Sequence, residues 1–337
     1  MNYILSGDIG GTKTLLQLSA ADNLSAPLLK KSFPSTQYPG LAEIITAFLH
    51  QANVTAVAAA CFALAGPVLD RRVKLTNLPW SVDADQIRTR FNIPVVTLIN
   101  DFEAVGVAIE ALRPTDLLTL QPGKEQEHGV RLAVGAGTGL GVAWIVWHAG
   151  SYQVHSSEGG HMDFAPMDTT QYELQGYLQR RHGHVSYERI VSGPGLVSIF
   201  EFLRDSGRAV PSPQLLGAMA AGDAAAAIVQ ATEHNEEPIA VMALDLFVAV
   251  YGGFVGNLAL VTLPHGGIYI AGGIAAKIAK SMQQRGFMRA FHDKGRFSGM
   301  LKMLPLHIVT RPDAGLLGAH RSAQRADASA VDTIRLL

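Results

Sequence analysis

Apolar runs broken by glycine turns recur along this chain. Tyr3-Ile4-Leu5-Ser6 leads into the turn GDIGGT at 7–12, and Thr14-Leu15-Leu16-Gln17-Leu18 leads out of it. Roughly one domain later, Leu132-Ala133-Val134 and Val142-Ala143-Trp144-Ile145-Val146-Trp147 flank a second turn, GAGTGLG at 135–141. Strand, glycine turn, strand makes a β-hairpin whose tip exposes backbone N–H groups able to hold phosphate oxygens. Taken singly, each turn reads more readily as an ordinary tight hairpin, because glycine supplies positive φ wherever one is needed. The matched pair points further, to two similar lobes sharing one nucleotide.

Neither turn is one of the better-known glycine loops. A Walker-type loop runs Gly-Lys-Ser/Thr into a helix. Here Thr12-Lys13-Thr14 puts Thr where that glycine belongs, and strand-like residues follow. A dinucleotide fingerprint starting at Gly135 would place its last glycine where Leu140 stands.

The same patterning predicts the remaining elements. In the first part these are a strand over Ser25–Phe33, a helix over Gly40–Gln51, a buried strand over Val54–Ala63, a strand over Pro94–Ile99 and a helix over Glu103–Leu112. That order indicates a mixed α/β sheet. A second unit opens near Leu117 with the second hairpin. Helices are then expected over Gln171–Arg181, Ser186–Val191, Pro194–Arg204, Ser212–Met219, Ala221–Glu233 and Ile239–Leu263. The strand Gly267–Ala271, a helix Ile274–Gln284, the strand Leu306–Val309 and a helix Ala314–Gln324 complete the pattern, the last expected to return to the first lobe.

Composition narrows the classes. A length of 337 residues fits two domains with separate cores, and 48% hydrophobic with 16% charged residues describes a compact globular chain. A net charge of −1 supplies no general field for nucleic acid or an anionic membrane, so neither partner is expected. The one cysteine, Cys61, lies in an apolar run and fits a reducing cytoplasm. The chain enters a strand at once, so no secretory leader is expected. Ile239–Leu263 has the length of a membrane span, but Asp245 within it would cost about 2.5–3.5 kcal/mol. It reads as a core helix.

Three polar groups remain. Asn100-Asp101 ends an apolar strand just before a helix, where open α/β sheets bind ligands. An Asp there can take a proton from an attacking hydroxyl. Locally, the stronger reading is a helix cap, because Asn100 and Glu103 form a capping-box pattern and Asp101 favours the helix dipole. Glu158 and His161 lie on a loop broken by Gly159-Gly160, which suits reading adjacent hydroxyls of a polyol. A metal reading there lacks a convincing third ligand, even with His155, Asp163, His182 and His184 as contributors, so no protein-borne metal site is expected. Glu188 follows Ser186, which reads as a helix N-cap.

Together these blocks resemble the bacterial glucokinase family, within the actin-like ATPase (ribonuclease H-like) superfamily that also includes hexokinase-type sugar kinases. The likeness runs through GDIGGT, LTNLPWSVD at 75–83, INDFEAV at 99–105, GAGTGLGVA at 135–143 and SEGGHMDFAP at 157–166. It continues through GHVSYERIVSGPGL at 183–196, GGFVGNLAL at 252–260, GGIYIAGGI at 266–274, DKGRF at 293–297 and GLLGAH at 315–320. The resemblance implies an α/β, two-domain actin-like fold with an interdomain cleft. It further implies a small domain of residues 1–112 plus 302–337 and a large one of 113–301. The implied reaction is transfer of the γ-phosphoryl of Mg-ATP to the 6-hydroxyl of D-glucose. Asn100, Asp101, Glu158, His161 and Glu188 would bind the sugar, with Asp101 as base. Gly7, Asp8, Ile9, Gly10, Gly11 and Thr12, with Gly137, Thr138 and Gly139, would hold the phosphates. Gly272 and Gly273 would lie against the nucleoside, and Asp8 would position the Mg2+-nucleotide, through water. A homodimer is expected on the same ground. Lys13 departs from the family pattern, where Asn often follows this turn. The cysteine cluster of the related repressor/kinase family is absent, which argues against that branch.

Overall fold

The computed structural model describes residues 3–20, 27–75, 77–233 and 237–335, with side chains described as far as 328. The chain divides into two compact units, residues 1–113 with 313–337, and residues 114–312.

In the first unit the strands are β1 (Tyr3–Ile9), β2 (Lys13–Ala20), β3 (Leu29–Pro34), β4 (Ala59–Leu64), β5 (Arg72–Lys74), β6 (Ser81–Asp83) and β7 (Val95–Asn100). The helices are α1 (Leu41–Ala52), α2 (Ala84–Phe91) and α3 (Asp101–Ala108). The main sheet runs β3-β2-β1-β4-β7, with β5 and β6 forming a separate ribbon. β3, β2 and β1 make an antiparallel meander, and β1, β4 and β7 run parallel. All six residues of β4 are buried, as expected of a strand covered on both faces.

β1 shows the period of two that sorts its side chains. Leu5 and Ile9 enter the core shared with Ile44, Ile45 and Phe48 of α1. Ile4 faces the other way, packing with Cys61, Ala104 of α3, and Ala319 and Ala323 of the C-terminal helix (Ala314–Arg335). Ser6, on that second face, shares a 3.1 Å hydrogen bond with Nδ1 of His320. Burial pushes this imidazole down to about 4, so it is neutral at ordinary pH. Gly318 lets the C-terminal helix press on α3; a Cβ there would lie 1.7 Å from the Ala104 carbonyl oxygen.

The second unit repeats the scheme. Its strands are β8 (Leu117–Gln121), β9 (Arg131–Ala136), β10 (Leu140–His148), β11 (Ser151–Ser157), β12 (Ile268–Ala271) and β13 (Leu306–Val309). They lie in the order β11-β10-β9-β12-β13-β8, an antiparallel meander feeding two parallel strands, with β8 added antiparallel at the edge. Its helices are α4 (Thr169–His182), α5 (Gly193–Asp205), α6 (Pro213–Ala221), α7 (Ala224–Ala231), α8 (Pro238–Thr262), α9 (Gly273–Lys277), α10 (Ala279–Gln284), α11 (Phe287–His292) and α12 (Ser298–Leu301). The long apolar helix α8 is a core element, with Phe247, Tyr251 and Phe254 fully buried.

Several expected bounds shift. The strand expected from Val54 starts at Ala59, and the one expected from Ser25 starts at Leu29, residues 25 and 26 lying outside the described residues. The helix expected from Glu103 starts at Asp101 and tightens to a 3-10 turn over Ile109–Ala111. Ser186–Val191 is no α-helix but a 3-10 turn over Tyr187–Arg189, and the Ser186 side chain caps nothing. Its backbone instead bridges to Asp163, while Ser192 caps the next helix by accepting from Gly195 N–H at 3.1 Å. The helix expected over Ile274–Gln284 breaks at Ile278 into α9 and α10.

Candidate active site

At the β7–α3 junction the cap reading proves true of Asn100. Its Oδ1 accepts from Phe102 N–H at 2.8 Å and Glu103 N–H at 3.3 Å, and Glu103 accepts from Asn100 N–H at 3.4 Å. Asn100 Nδ2 donates to the Gly66 carbonyl at 3.3 Å, fixing the amide at both ends. Asp101 follows at the first helical position, its Oδ1 accepting from Phe102 N–H at 2.9 Å. The capping box is complete without it, which leaves the cap and base readings compatible.

Asp8 stands close by. Burial first, then the negative charges of Asp101 and Asp313, push its carboxyl up to about 6, against the opposing pull of Lys13. Gly315, in the first turn of the C-terminal helix, makes room for it; a Cβ there would lie 2.9 Å from Asp8 Oδ2. Asp313 is paired with Lys30 at 2.5 Å.

The first glycine turn is braced from below. Gly10 N–H donates to Lys13 O at 3.0 Å, Ser35 Oγ donates to the Gly10 carbonyl at 2.8 Å, and Ser35 N–H donates to Thr12 O at 2.9 Å. Gly10, Gly11 and Thr12 form the tip, Thr12 exposed. Gly7 and Ile9 sit instead inside β1. A Cβ on Gly7 would meet Phe62 at 2.7 Å and Leu16 at 2.8 Å, so this glycine serves core packing.

In the second unit, Phe164 N–H donates to Val185 O and Tyr187 N–H to Met162 O, drawing the 158–164 loop alongside 185–188. That pairing gathers three predicted residues. His161 Nε2 lies 3.9 Å from Glu158 Oε2 and 3.9 Å from Glu188 Oε1. The Glu158 and His161 side chains are 70% and 58% exposed, so their polar atoms remain open to a ligand. The second turn lies beside them. Gly137 N–H donates to Gly139 O, and Gly137 O accepts from Gly193 N–H at the start of α5, each at 2.8 Å. Beneath it, Ala136 N–H donates to the buried Tyr251 hydroxyl at 3.3 Å, and burial keeps that phenol protonated. Gly272 follows β12 as the N-cap of α9 with φ of 88°, and Gly273 after it has open space at its Cβ position.

Sequence reasoning missed Ser35, Gly66 and Asp313, which act on these residues from distant parts of the chain; Gly315 was expected to pack closely, but its neighbour Asp8 leaves no local signature. Glu188 Oε2 also accepts from Leu140 N–H at the end of the second turn, at 2.8 Å, a contact invisible for the same reason.

A repeated meander-plus-parallel sheet, each copy carrying a glycine hairpin, with carboxylates at a strand end, defines a phosphotransferase of the actin-like ATPase class. The glucokinase family model matches residues 5–326. A glucokinase of Trichormus variabilis is 42% identical over 341 residues, covering 96% of this chain and all of the relative. A glucokinase crystal structure from an Antarctic psychrotroph is 27% identical, with a TM-score of 0.81 over 96% of this chain and 99% of that one. A ROK family glucokinase from Streptomyces griseus, solved with glucose and AMPPNP, shares the fold at 19% identity and a TM-score of 0.66, over 96% of this chain and 100% of that one. The chain belongs to the glucokinase family, whose activity is ATP-dependent phosphorylation of glucose.

Proposed function

We propose that the chain moves the γ-phosphoryl of Mg-ATP to the 6-hydroxyl of D-glucose, with Asp101 as the base. The observation that carries this is the β7–α3 junction. Asn100 completes the capping box, and Asp101 is held at the end of the strand beside a second carboxylate, Asp8. Asn100 and Asp101 are the hydroxyl-binding groups of the first unit, and Glu158, His161 and Glu188 those of the second. A sugar lacking or inverting one of those hydroxyls leaves a polar group unpaired, which is the source of discrimination.

Phosphoryl transfer passes through a loose transition state, so positioning and charge stabilisation do most of the work. Asp101 orients the 6-hydroxyl and accepts its proton late. The tip residues Gly10, Gly11 and Thr12, with Gly137, Thr138 and Gly139, present backbone N–H groups to the phosphates. Gly272 and Gly273 lie against the nucleoside.

Among the described residues no cluster of three His, Cys, Asp or Glu side chains is shaped to cage a metal. That donor set still fits Mg2+, which binds through one or two carboxylates while keeping waters and phosphate ligands. Asp8 is the group to hold it, through water, because two crowded carboxylates that repel each other are relieved by a cation. Bound Mg2+ neutralises charge on the phosphate oxygens. A cytoplasmic homodimer is the expected form, and the buried free thiol of Cys61 suits a reducing compartment.

The deciding experiment is a coupled assay on the purified protein with Mg-ATP and glucose, repeated with mannose, fructose and N-acetylglucosamine, and with polyphosphate replacing ATP. Glucose with ATP is expected to give the highest kcat/KM. A clear preference for another sugar or for polyphosphate refutes the assignment. Light scattering tests the dimer.

A further inference from the structure

Tyr187 ties three segments of the second unit together. Its backbone N–H donates to the Met162 carbonyl at 3.0 Å, and the bridge between Asp163 and Ser186 continues that pairing. Its ring, 4% exposed, meets Phe164 of the loop edge-on with centroids 5.6 Å apart, and Phe254 of α8 at 4.5 Å. Its hydroxyl accepts from Nδ2 of Asn257, also on α8, at 2.9 Å, and the Ala165 N–H donates to the same oxygen. Asn257 has no other evident purpose in so apolar a helix. Asp245, the charged residue of α8, is paired with Arg285 at 2.5 Å, whereas Asn257 is turned to Tyr187. Glu188 is the very next residue. The loop that carries Glu158 and His161, and the segment that carries Glu188, are therefore both referenced to one core helix.

We infer that Tyr187 is a positioning residue for sugar recognition, and that its bond to Asn257 sets where the 158–164 loop stands against Glu188. The arrangement it holds leaves His161 Nε2 3.9 Å from both Glu158 Oε2 and Glu188 Oε1. Glu158 and His161 are themselves mostly exposed, so their placement comes from Met162 and Phe164, which rest on Tyr187. The ring alone cannot fix that placement. Apolar contact is non-directional and lets a ring slide, whereas a hydrogen bond has a preferred distance and angle. Losing the hydroxyl frees the ring to shift along α8, and the loop shifts with it. Hydrogen bonds from the loop to a sugar then lengthen and bend, and weaken steeply as they do. The inference rests on the proposed assignment of Glu158, His161 and Glu188 to glucose.

The test is a double-mutant cycle of Tyr187→Phe and Asn257→Leu, read in steady-state kinetics with glucose and with Mg-ATP varied separately. Tyr187→Phe keeps the ring and its contacts with Phe164 and Phe254. Each single variant should raise the KM for glucose about three- to tenfold, the range for one net hydrogen bond. The KM for Mg-ATP should stay within about twofold, and kcat should change less than the glucose KM. The double variant should be no worse than the poorer single one, because both substitutions break the same bond. Tyr177→Phe is the control. It loses a comparable bond, from the Tyr177 hydroxyl to Asp205 Oδ2 at 2.6 Å on the α4 surface, and should leave both KM values unchanged. Asn257→Leu carries the test if Tyr187→Phe does not fold. An unchanged glucose KM in the single variants overturns the inference. So does an equal rise in both KM values, which a merely structural role would give, or additive losses in the double variant. His161→Ala is measured alongside, and an unchanged glucose KM there refutes the hydroxyl-set reading instead.

Discussion

Asn100 and Asp101 stand where a parallel strand turns into a helix, and the backbone dictates their positions. Glu158 and His161 stand on a glycine-broken loop, and contacts with distant segments hold them. The first pair is pinned by a reciprocal cap and by the Gly66 carbonyl. The second has side chains 70% and 58% exposed and meets Glu188 only at 3.9 Å. A base for a transferred proton needs a fixed direction, which the strand end supplies without further help. Hydroxyl readers need open donors and acceptors, and a solvated loop preserves these until the sugar displaces water. On the proposed assignment, the base and the hydroxyl readers are held in different ways, and substitutions in the two regions should separate kcat from KM.

The largest effect belongs to the base. Asp101→Ala should lower kcat by about 10²–10⁴-fold, the range for loss of a general base, while the melting temperature changes little and glucose affinity falls by about tenfold or less, as expected for one lost hydrogen bond. Steady-state kinetics with a thermal melt checks this. Near-normal turnover would remove Asp101 from the chemistry and collapse the contrast.

On the loop, His161→Ala should raise the KM for glucose by about 5–30-fold with a smaller change in kcat, as expected for one or two lost hydrogen bonds. It should also narrow the preference for glucose over its epimers. A variant that lost kcat as heavily as Asp101→Ala would show that the loop orients the reacting hydroxyl as well as reading the sugar.

These two regions also differ in how far the sequence revealed them. The β7–α3 junction was legible because its logic is local: an apolar run, then Asn-Asp, then Glu three residues after Asn. The same holds for the hairpins and for α8, whose periodicity and length fall within one segment. Around Glu188 the local reading failed. Ser186 looks like an N-cap, but its backbone bridges to Asp163, more than twenty residues earlier, and a 3-10 turn replaces the expected helix. No short window contains both partners of such a contact. Gly7 shows the converse, since its place in the motif suggests a phosphate while its neighbours Phe62 and Leu16 make it part of the core. Local reading singled out Asn100, Asp101, Glu158, His161 and the two turns as candidates, and the family likeness gave them, with Glu188, their expected roles.

Asp8 offers a finer separation through pH. Its carboxyl is pushed up to about 6 by burial and by Asp101 and Asp313, so the folded chain holds this proton more tightly than the unfolded chain does. Below about pH 4 both states are protonated and nothing is lost. As pH rises to about 6 the unfolded state releases its proton first, so stability falls across that window, and above it the cost is constant. Asp8→Asn should therefore stabilise the protein at pH 8 by about 1–3 kcal/mol, and very little at pH 4, in denaturant titrations. In wild type the KM for Mg-ATP should rise as pH drops below about 6, while the KM for glucose stays level. A glucose KM that follows the same profile would mean that Asp8 serves the sugar rather than the nucleotide.

Lys13 should give the smallest effect, and it bears on the two turns themselves. GAGTGLG contains no charged residue, whereas GDIGGT is followed at once by this lysine. Its side chain is exposed, and its positive charge acts on Asp8 in the direction that favours the carboxylate. Lys13→Gln should move the acid limb of the Mg-ATP profile to higher pH, because Asp8 loses the charge that opposes its protonation. The KM for Mg-ATP at pH 7.5 should rise about two- to fivefold at low ionic strength, as expected for one exposed charge. That difference should shrink in about 0.5 M salt, where the screening length falls to a few ångströms. Glucose affinity without nucleotide should not change, since Lys13 lies on none of the segments proposed to read the sugar. If Lys13→Gln leaves the Mg-ATP profile untouched at low salt, the two turns hold phosphate by backbone alone, and the difference in their sequences has no electrostatic meaning.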